Sequence, residues 1–501
     1  MGVIKDQGMK TSIVLYAGAF VGIISRIFLL PRALTPEQIG FVDNVLGLSV
    51  MISSIAMFGM TGSATRFLPR LDSKQKQNTL MGLLLLILLV SSLIFMLILV
   101  CNKSLILQIY PKDQDFFNQY YWALPILVGL LIFRSYFVSY STANKKIVIP
   151  NIINELWVKV FTAVSLSLII LNIIDFSGYM YLYVFMYAIA CFALLVYTIG
   201  KLKLRVSFRT STLRGDYKEI LNYSFFTLLL ALIAPMYMYV DVIMLGSLKG
   251  LQYAGIYSVA FIIGSSIELP RRALTSISFP IITRLFQEGD YEEIKNIYKK
   301  SSIVQGFIAS ILLIIVWFSI DNLFAIIPNN EVYLQGKYVV LIVGLSKWID
   351  MITGINSQIL IASPKYRYDM IFTIFLIFIS VTFNMVLIPI YELNGAAIAT
   401  LCAMIIYNTA RFILIHRFFG ISPFDVNTLK LAVIFILFMG ISFIPLFNNG
   451  DSLIMNILFM IIKTAIIAIP FIFITYKWKI SEDINSLIDS LLEKYGILRR
   501  R

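Results

Sequence analysis

The sequence predicts an all-α polytopic membrane protein of about fourteen transmembrane helices, built as two pseudo-symmetric six-helix lobes plus two C-terminal helices. Three observations predict this class. Hydrophobic residues make up 59% of the 501 residues and charged residues 14%, whereas a soluble domain sits near half apolar and a quarter charged. The apolar residues come in long runs: residues 79–100 carry no charge, and roughly 20 residues make about 30 Å of helix, enough to cross a bilayer. Segments in the two halves also echo one another at a nearly constant offset.

Breaks in hydrophobicity place the spans in order. They start near Thr11, Val45, Leu80, Gln119, Ile147 and Tyr179, then Leu221, Ala254, Ser302, Lys337, Arg367 and Asn394, and finally Thr428 and Leu453. Residues 1–205 thus form an N-terminal six-helix lobe, 206–418 a second, and 419–478 two further spans. The first span follows a short basic segment, MGVIKDQGMK, and lacks a small-residue cleavage pattern, so it is expected to stay as a span. Residues 479–501 read as an amphipathic cytoplasmic tail, with Ile484, Leu487, Ile488, Leu491 and Leu492 at helical spacing. Such a tail either lies on the membrane with Arg499, Arg500 and Arg501 near lipid phosphates or packs as an end helix.

Loop charges orient the spans. One set of loops holds Lys5, Lys10, Arg66, Arg70, Lys145, Lys146, Lys201, Lys203, Arg209, Arg214, Arg284, Lys295, Lys365 and Arg417, while the alternate loops hold only Arg32, Lys103, Lys112, Lys249 and Lys337. Both termini are therefore expected in the cytoplasm. Most of the +14 net charge is then a topology signal, and nucleic acid is not an expected partner. With one histidine, His416, and three unpaired cysteines, Cys101, Cys191 and Cys402, histidine-based metal chemistry has little to work with. The longest loops are about 20 residues, too short for a folded catalytic domain.

The repeat is visible in two places. RIFLLPRALTPEQIGFVDNVLGLSV from Arg26 aligns with DVIMLGSLKGLQYAGIYSVAFIIGS from Asp241, an offset of 215 that also carries Gly40 onto Gly255. STANKKIVIPNI from Ser141 echoes IASPKYRYDMI from Ile361, matching Lys145 to Lys365 at offset 220. Six spans separate each pair, so the halves insert the same way up, a parallel repeat of the kind transporters use around a substrate path.

Charges inside spans pair with one another or face a water-filled cavity. Glu155 with Lys159, Lys347 with Asp350, and Glu268 with Arg271 or Arg272 have helical spacing for local pairs. Arg26, Arg134, one of Arg271 and Arg272, Arg411 and Lys463 are left facing only Asp241. Arg411 stands near the cytoplasmic end, where it is expected to snorkel. A positive excess wants an anionic guest, and the planar fork of arginine suits phosphate. The candidate phosphate-binding residues are Arg26, Arg134, Arg271, Arg272 and Lys347.

A second constellation is oxygen-rich. Asp241, Asn384 and Thr400 all fall roughly 6–9 Å below the outer surface at 1.5 Å per residue. Ser380 and Asn384 share a helix face, as do Ala396 and Thr400. One carboxylate with amide, hydroxyl and carbonyl oxygens suits a hard cation. The alternative is that Asn384 and Thr400 bond across their hairpin while Asp241 pairs with Arg26.

The opening pattern RIFLLPRALTPEQIGFVDNV and the hairpin NMVLIPIYELNGAAIAT, with the span count, resemble the polysaccharide-transporter branch of the multidrug/oligosaccharidyl-lipid/polysaccharide exporter superfamily. The resemblance covers nearly the whole chain. It implies alternating access by two six-helix lobes. A lipid-linked oligosaccharide, carried on undecaprenyl pyrophosphate, would be flipped from the cytoplasmic to the periplasmic leaflet of a bacterial inner membrane. Its product would feed O-antigen, capsule or exopolysaccharide synthesis, with membrane lipids, a polysaccharide polymerase and glycosyltransferases as partners. It also implies that Arg26, Arg271 and Arg272 meet the substrate. A sodium site would draw on Asp241, Ser380, Asn384, the Ala396 carbonyl and Thr400, with Na⁺ or H⁺ as coupling ion and no other cofactor. Asn384 is neutral where that pattern has a second acid. The competing readings are a cation-coupled multidrug antiporter of the same superfamily and a membrane-embedded oligosaccharide polymerase or ligase.

Overall fold

A computed structural model describes residues 2–208, 217–444, 446, 450 and 452–494. Of the predicted loop and tail bases, Arg209, Arg214 and Arg499, Arg500 and Arg501 lie outside the described residues. Among those described, the secondary structure is helical with no strand. Among the described residues nine helices are long and apolar enough to cross a membrane, or eleven if each of two bent pairs counts as one span, and Val426–Ile441 is a shorter apolar helix.

The chain divides into two compact units, Met1–Ser258 and Val259–Arg501. The first holds α1 (Ile13–Ala33), α2 (Pro36–Ala56), α3 (Lys74–Cys101), α4 (Ala123–Ala143), α5 (Val148–Ile170), α6 (Phe176–Gly200) and α7 (Tyr217–Leu248). Helix α2 begins nine residues before the expected Val45. Thr35 caps it by accepting from the Gln38 amide, and the Gln38 side chain accepts from the Thr35 N–H, with Pro36 at the first helical position. This capping box satisfies two otherwise orphaned donors and draws Asp43 and Asn44 into the span. Two π-helical turns interrupt the unit, Ser25–Leu29 in α1 and Ile152–Trp157 in α5. Such turns carry an extra residue and re-aim the side chains around them.

Glycines let these helices touch. A Cβ on Gly18 would stand 2.7 Å from the Glu155 carbonyl oxygen, and one on Gly22 3.1 Å from the Lys159 stem, so α1 lies directly on α5. Gly47 receives Tyr239 of α7, and Gly246 receives the Asn44 amide. Gly40 and Gly255, equivalent at offset 215, meet each other: a Cβ on Gly40 would strike the Leu251 carbonyl, and one on Gly255 the Pro36 carbonyl. The Tyr110 hydroxyl donates to Asn44 Oδ1 at 3.0 Å, and burial holds that phenol well above the usual tyrosine range.

In the second unit, α8 (Tyr291–Phe318) is followed by α9 (Lys337–Ile352), which breaks at Gly354 (φ +67°) and bends 51° into Asn356–Ala362. A buried network of Thr353, Asn356 and Asn408 spans the break, with Asn356 donating to Asn408 at 2.8 Å. Helix α10 (Tyr366–Phe419) covers two predicted spans and kinks at Glu392 (φ 52°, ψ −122°). It folds as an antiparallel hairpin, since Arg411 bonds Asp369 and Thr373 bonds Tyr407, pairs symmetric about residue 390. Gly395 permits the close return, because a Cβ there would strike the Leu387 backbone. After α11 (Val426–Ile441) and α12 (Leu453–Lys477), the tail helix Glu482–Lys494 packs back on α12. Asn485 donates to the Tyr476 carbonyl at 3.0 Å and the Tyr476 hydroxyl donates to Asp489 at 2.6 Å.

Candidate functional site

In the first unit the π turn of α1 presents Arg26 to α2. Its Nη1 donates to both carboxylate oxygens of Asp43 at 2.7 Å. Asp43 keeps 6% of its side-chain exposure and Arg26 32%. The expectation that Arg26 is uncompensated is therefore corrected: its partner is Asp43, brought into the span by the early start of α2. Nε and Nη2 of Arg26 have no hydrogen-bond acceptor among the described residues, so the guanidinium keeps an open edge. Around the pair stand tyrosines: Tyr179 and Tyr183 of α6 and Tyr239 of α7 lie within electrostatic reach of Arg26.

Arg134 of α4 belongs to the same cluster. Its guanidinium sits 5.5 Å from the Tyr187 ring centre, Tyr187 lies 5.4 Å from Tyr183, and Tyr239 is in reach of both arginines. Among the described residues Arg134 makes no ion pair. Glu155 and Lys159 form the expected i,i+4 bond at 2.8 Å, against Gly18 and Gly22 of α1. Two cations, one carboxylate and four tyrosines thus share one region of this unit.

In the second unit the predicted Glu268–Arg271 pair forms, and cross-helix pairs join it to Lys347 and Asp350. Lys347 bonds Glu268 at 2.7 Å and Arg271 bonds Asp350, with Glu268 also 3.6 Å from Arg271. Each predicted pair occupies one helix face; the two faces meet, and the ion pairs form across the gap. The result is a quartet of two bases and two acids, so Arg271 and Lys347 carry no local excess. Arg272 is exposed and makes no ion pair among the described residues. Arg411 does not snorkel: it is buried, bonded to Asp369 at 2.7 Å and stacked 3.9 Å from the Tyr407 ring centre. Lys463 is buried and donates to Asn322 Oδ1 at 2.6 Å. The sequence reading missed Asp43 and Asp369 as membrane charges because both stand within the first turns of their helices; the T-x-x-Q capping signal would have recovered Asp43.

The oxygen-bearing residues divide between the units. Asp241 is buried in the first, accepting from the Tyr257 hydroxyl at 2.8 Å. Ser380, Asn384, Ala396 and Thr400 are buried in the α10 hairpin of the second. The symmetry of the hairpin about residue 390 sets Ser380 opposite Thr400 and Asn384 opposite Ala396. Among the described residues no cluster of three or more His, Cys, Asp or Glu side chains is placed to share a metal. The hairpin offers hydroxyl, amide and carbonyl oxygens, and the one carboxylate of the predicted set, Asp241, belongs to the first unit.

Comparison with known proteins fits this architecture. The family model described as polysaccharide biosynthesis protein matches residues 9–286, more than half of the chain. Among curated protein sequences none matches. The fold is similar to that of the lipid II flippase MurJ in an inward closed conformation, with a TM-score of 0.74 over 94% of this chain and 99% of that one at 12% identity. It is also similar to an inward-facing multidrug resistance MATE family transporter of the MOP superfamily, with a TM-score of 0.65 over 81% of this chain and 94% of that one at 12% identity. An outward-facing MATE structure gives 0.56 over 83% and 96% at 13% identity. The fold is that of solved flippase and transporter structures. The chain is a multi-pass membrane protein of the polysaccharide biosynthesis family, with a fold similar to that of the MurJ and MATE structures.

Proposed function

We propose that the protein flips an undecaprenyl-pyrophosphate-linked oligosaccharide from the cytoplasmic to the periplasmic leaflet of the bacterial inner membrane by alternating access. The glycan would serve O-antigen, capsule or exopolysaccharide synthesis, handed on by glycosyltransferases and received by a polymerase. The observation that carries this reading is Arg134, a membrane-embedded guanidinium with no carboxylate partner among the described residues, in the same tyrosine cluster as Arg26. Charge inside a membrane is retained for function, and two guanidinium forks suit the oxygens of a pyrophosphate. Tyr183, Tyr187 and Tyr239 add hydroxyl donors and ring faces of the kind that pack on sugars. Arg272, exposed in the second unit, is the further base proposed to meet the phosphates, while Arg271 and Lys347 hold their quartet together. Asp241, Ser380, Asn384, the Ala396 carbonyl and Thr400 are proposed as a sodium site for coupling.

The test is surface polysaccharide in cells carrying Arg134→Ala. We expect it to be lost while the variant inserts at wild-type levels, with partial recovery in Arg134→Lys, which keeps the charge but not the fork. Normal polysaccharide in Arg134→Ala, or resistance to cationic drugs conferred by the wild type, would reject the reading in favour of a multidrug antiporter.

A further inference from the structure

We infer that Glu155 and Lys159 of α5 form a neutral polar subsite that reads the first sugar of the substrate, the ring bonded directly to the pyrophosphate. The inference rests on the reading that Arg26 and Arg134 bind the pyrophosphate, and adds the residues that select the glycan.

The face of α5 on which the pair stands points there. Glu155, Lys159, Thr162 and Leu166 follow one another at the spacing of a single helix face. That face turns toward the rest of the first unit: the Thr162 hydroxyl donates to Met186 Sδ of α6 at 3.5 Å, and Leu166 is fully buried. The opposite face carries Trp157, Val160 and Val164, exposed apolar side chains suited to lipid. Yet Lys159 and Glu155 keep 33% and 38% of their side-chain exposure. The space they open onto therefore lies among the helices of this unit, not in lipid, where a half-exposed charge would be costly.

Chemistry and position then name the guest. The Glu155–Lys159 bond at 2.8 Å balances both charges, so the pair has no excess with which to draw an anion. Among the described residues neither side chain has another partner, which leaves ammonium N–H donors and carboxylate lone pairs unused. A guest rich in hydroxyls uses both: neighbouring sugar hydroxyls donate to the carboxylate, and the ammonium donates to ring or acetamido oxygens. Helices α1 and α5 run in step, Gly18 against Glu155 and Gly22 against Lys159, and α5 packs on the π turn that holds Arg26. Arg26 thus stands one turn beyond Lys159, about 5.4 Å along the axis. A phosphate held at Arg26 places the sugar bonded to it beside the pair.

The experiment measures binding of a series of farnesyl diphosphate diesters to the full-length protein in nanodiscs. One is a methyl ester without sugar; the others are esters of glucose, galactose, N-acetylglucosamine and N-acetylgalactosamine, all of the same charge. We expect the wild type to bind at least one sugar diester about tenfold or more tighter than the methyl diester, the gain from hydrogen bonds to charged groups. Glu155→Gln with Lys159→Gln removes both charges together, so neither is stranded. That double variant should bind every sugar diester only as tightly as the wild type binds the methyl diester. Arg134→Ala should lose all the probes alike. A double variant that keeps the wild-type ranking or loses the methyl diester too, or a wild type with no preference for any sugar, overturns the subsite and leaves the pyrophosphate reading standing. An Arg134→Ala that binds the methyl diester like the wild type sinks that reading, and the subsite with it. Should the double variant fail to fold, Glu155→Asp keeps the pair but withdraws the carboxylate by one methylene. It should weaken the preferred sugar diester and not the methyl diester; equal effects on both overturn the proposal.

Discussion

Arg411 and Asp369 show what one buried ion pair does in this protein. Their side chains keep 6% and 9% exposure, so removing one partner strands a charge and costs about 3–5 kcal/mol. Asp369→Ala is expected to lower the thermal unfolding temperature of the purified protein sharply. Asp369→Ala combined with Arg411→Met should recover most of the loss, because a fitted apolar pair is often as stable as a buried ionic one. A double variant no better than the single would contradict this. At this scale the sequence was legible where partners share a helix: Glu155 and Lys159 stand one turn apart and bond as expected. It was not legible where they come from different helices. Arg26 and Asp43 are 17 positions apart across a turn, and the Glu268, Arg271, Lys347 and Asp350 quartet forms across two faces whose meeting no local spacing announces.

Helices meet in this fold at glycines whose purpose lies outside their own helix. The alignment of Gly40 with Gly255 was visible as a repeat, yet only the packing reveals that the two glycines touch. Gly40→Leu should force α2 off its neighbour and reduce folded yield in detergent, at about 1–3 kcal/mol or more for overpacking without room to relax; an unchanged melting profile would refute the contact. The hairpin NMVLIPIYELNGAAIAT was read as two spans joined by a Pro-and-Gly turn, and the pairs across it bear this out. Helix type and approximate position were therefore available from hydrophobic runs and breaks. Starts were not always: the cap at Thr35 outranked the apolar run and moved α2 by nine residues. The π turns at Arg26 and Glu155 left no sequence signal, because an extra residue in an apolar run has no periodicity to violate.

For the whole molecule, the composition and the loop charges bear on how the chain sits in a membrane. Both termini are proposed to face the cytoplasm. In a background lacking Cys101, Cys191 and Cys402, a cysteine at Lys112 should react with an impermeant maleimide in intact cells, and one at Lys145 should not; the reverse pattern would invert the topology. The family is established by the match over residues 9–286, while the substrate rests on the arginine cluster of the first unit. The most direct measurement is flipping in proteoliposomes of purified protein loaded with a fluorescent undecaprenyl-pyrophosphate-linked oligosaccharide. The account predicts transfer to the opposite leaflet by the wild type and loss in Arg134→Ala of equal fold. A wild type that leaves this lipid in place, or an Arg134→Ala that flips it at the wild-type rate, would contradict the account.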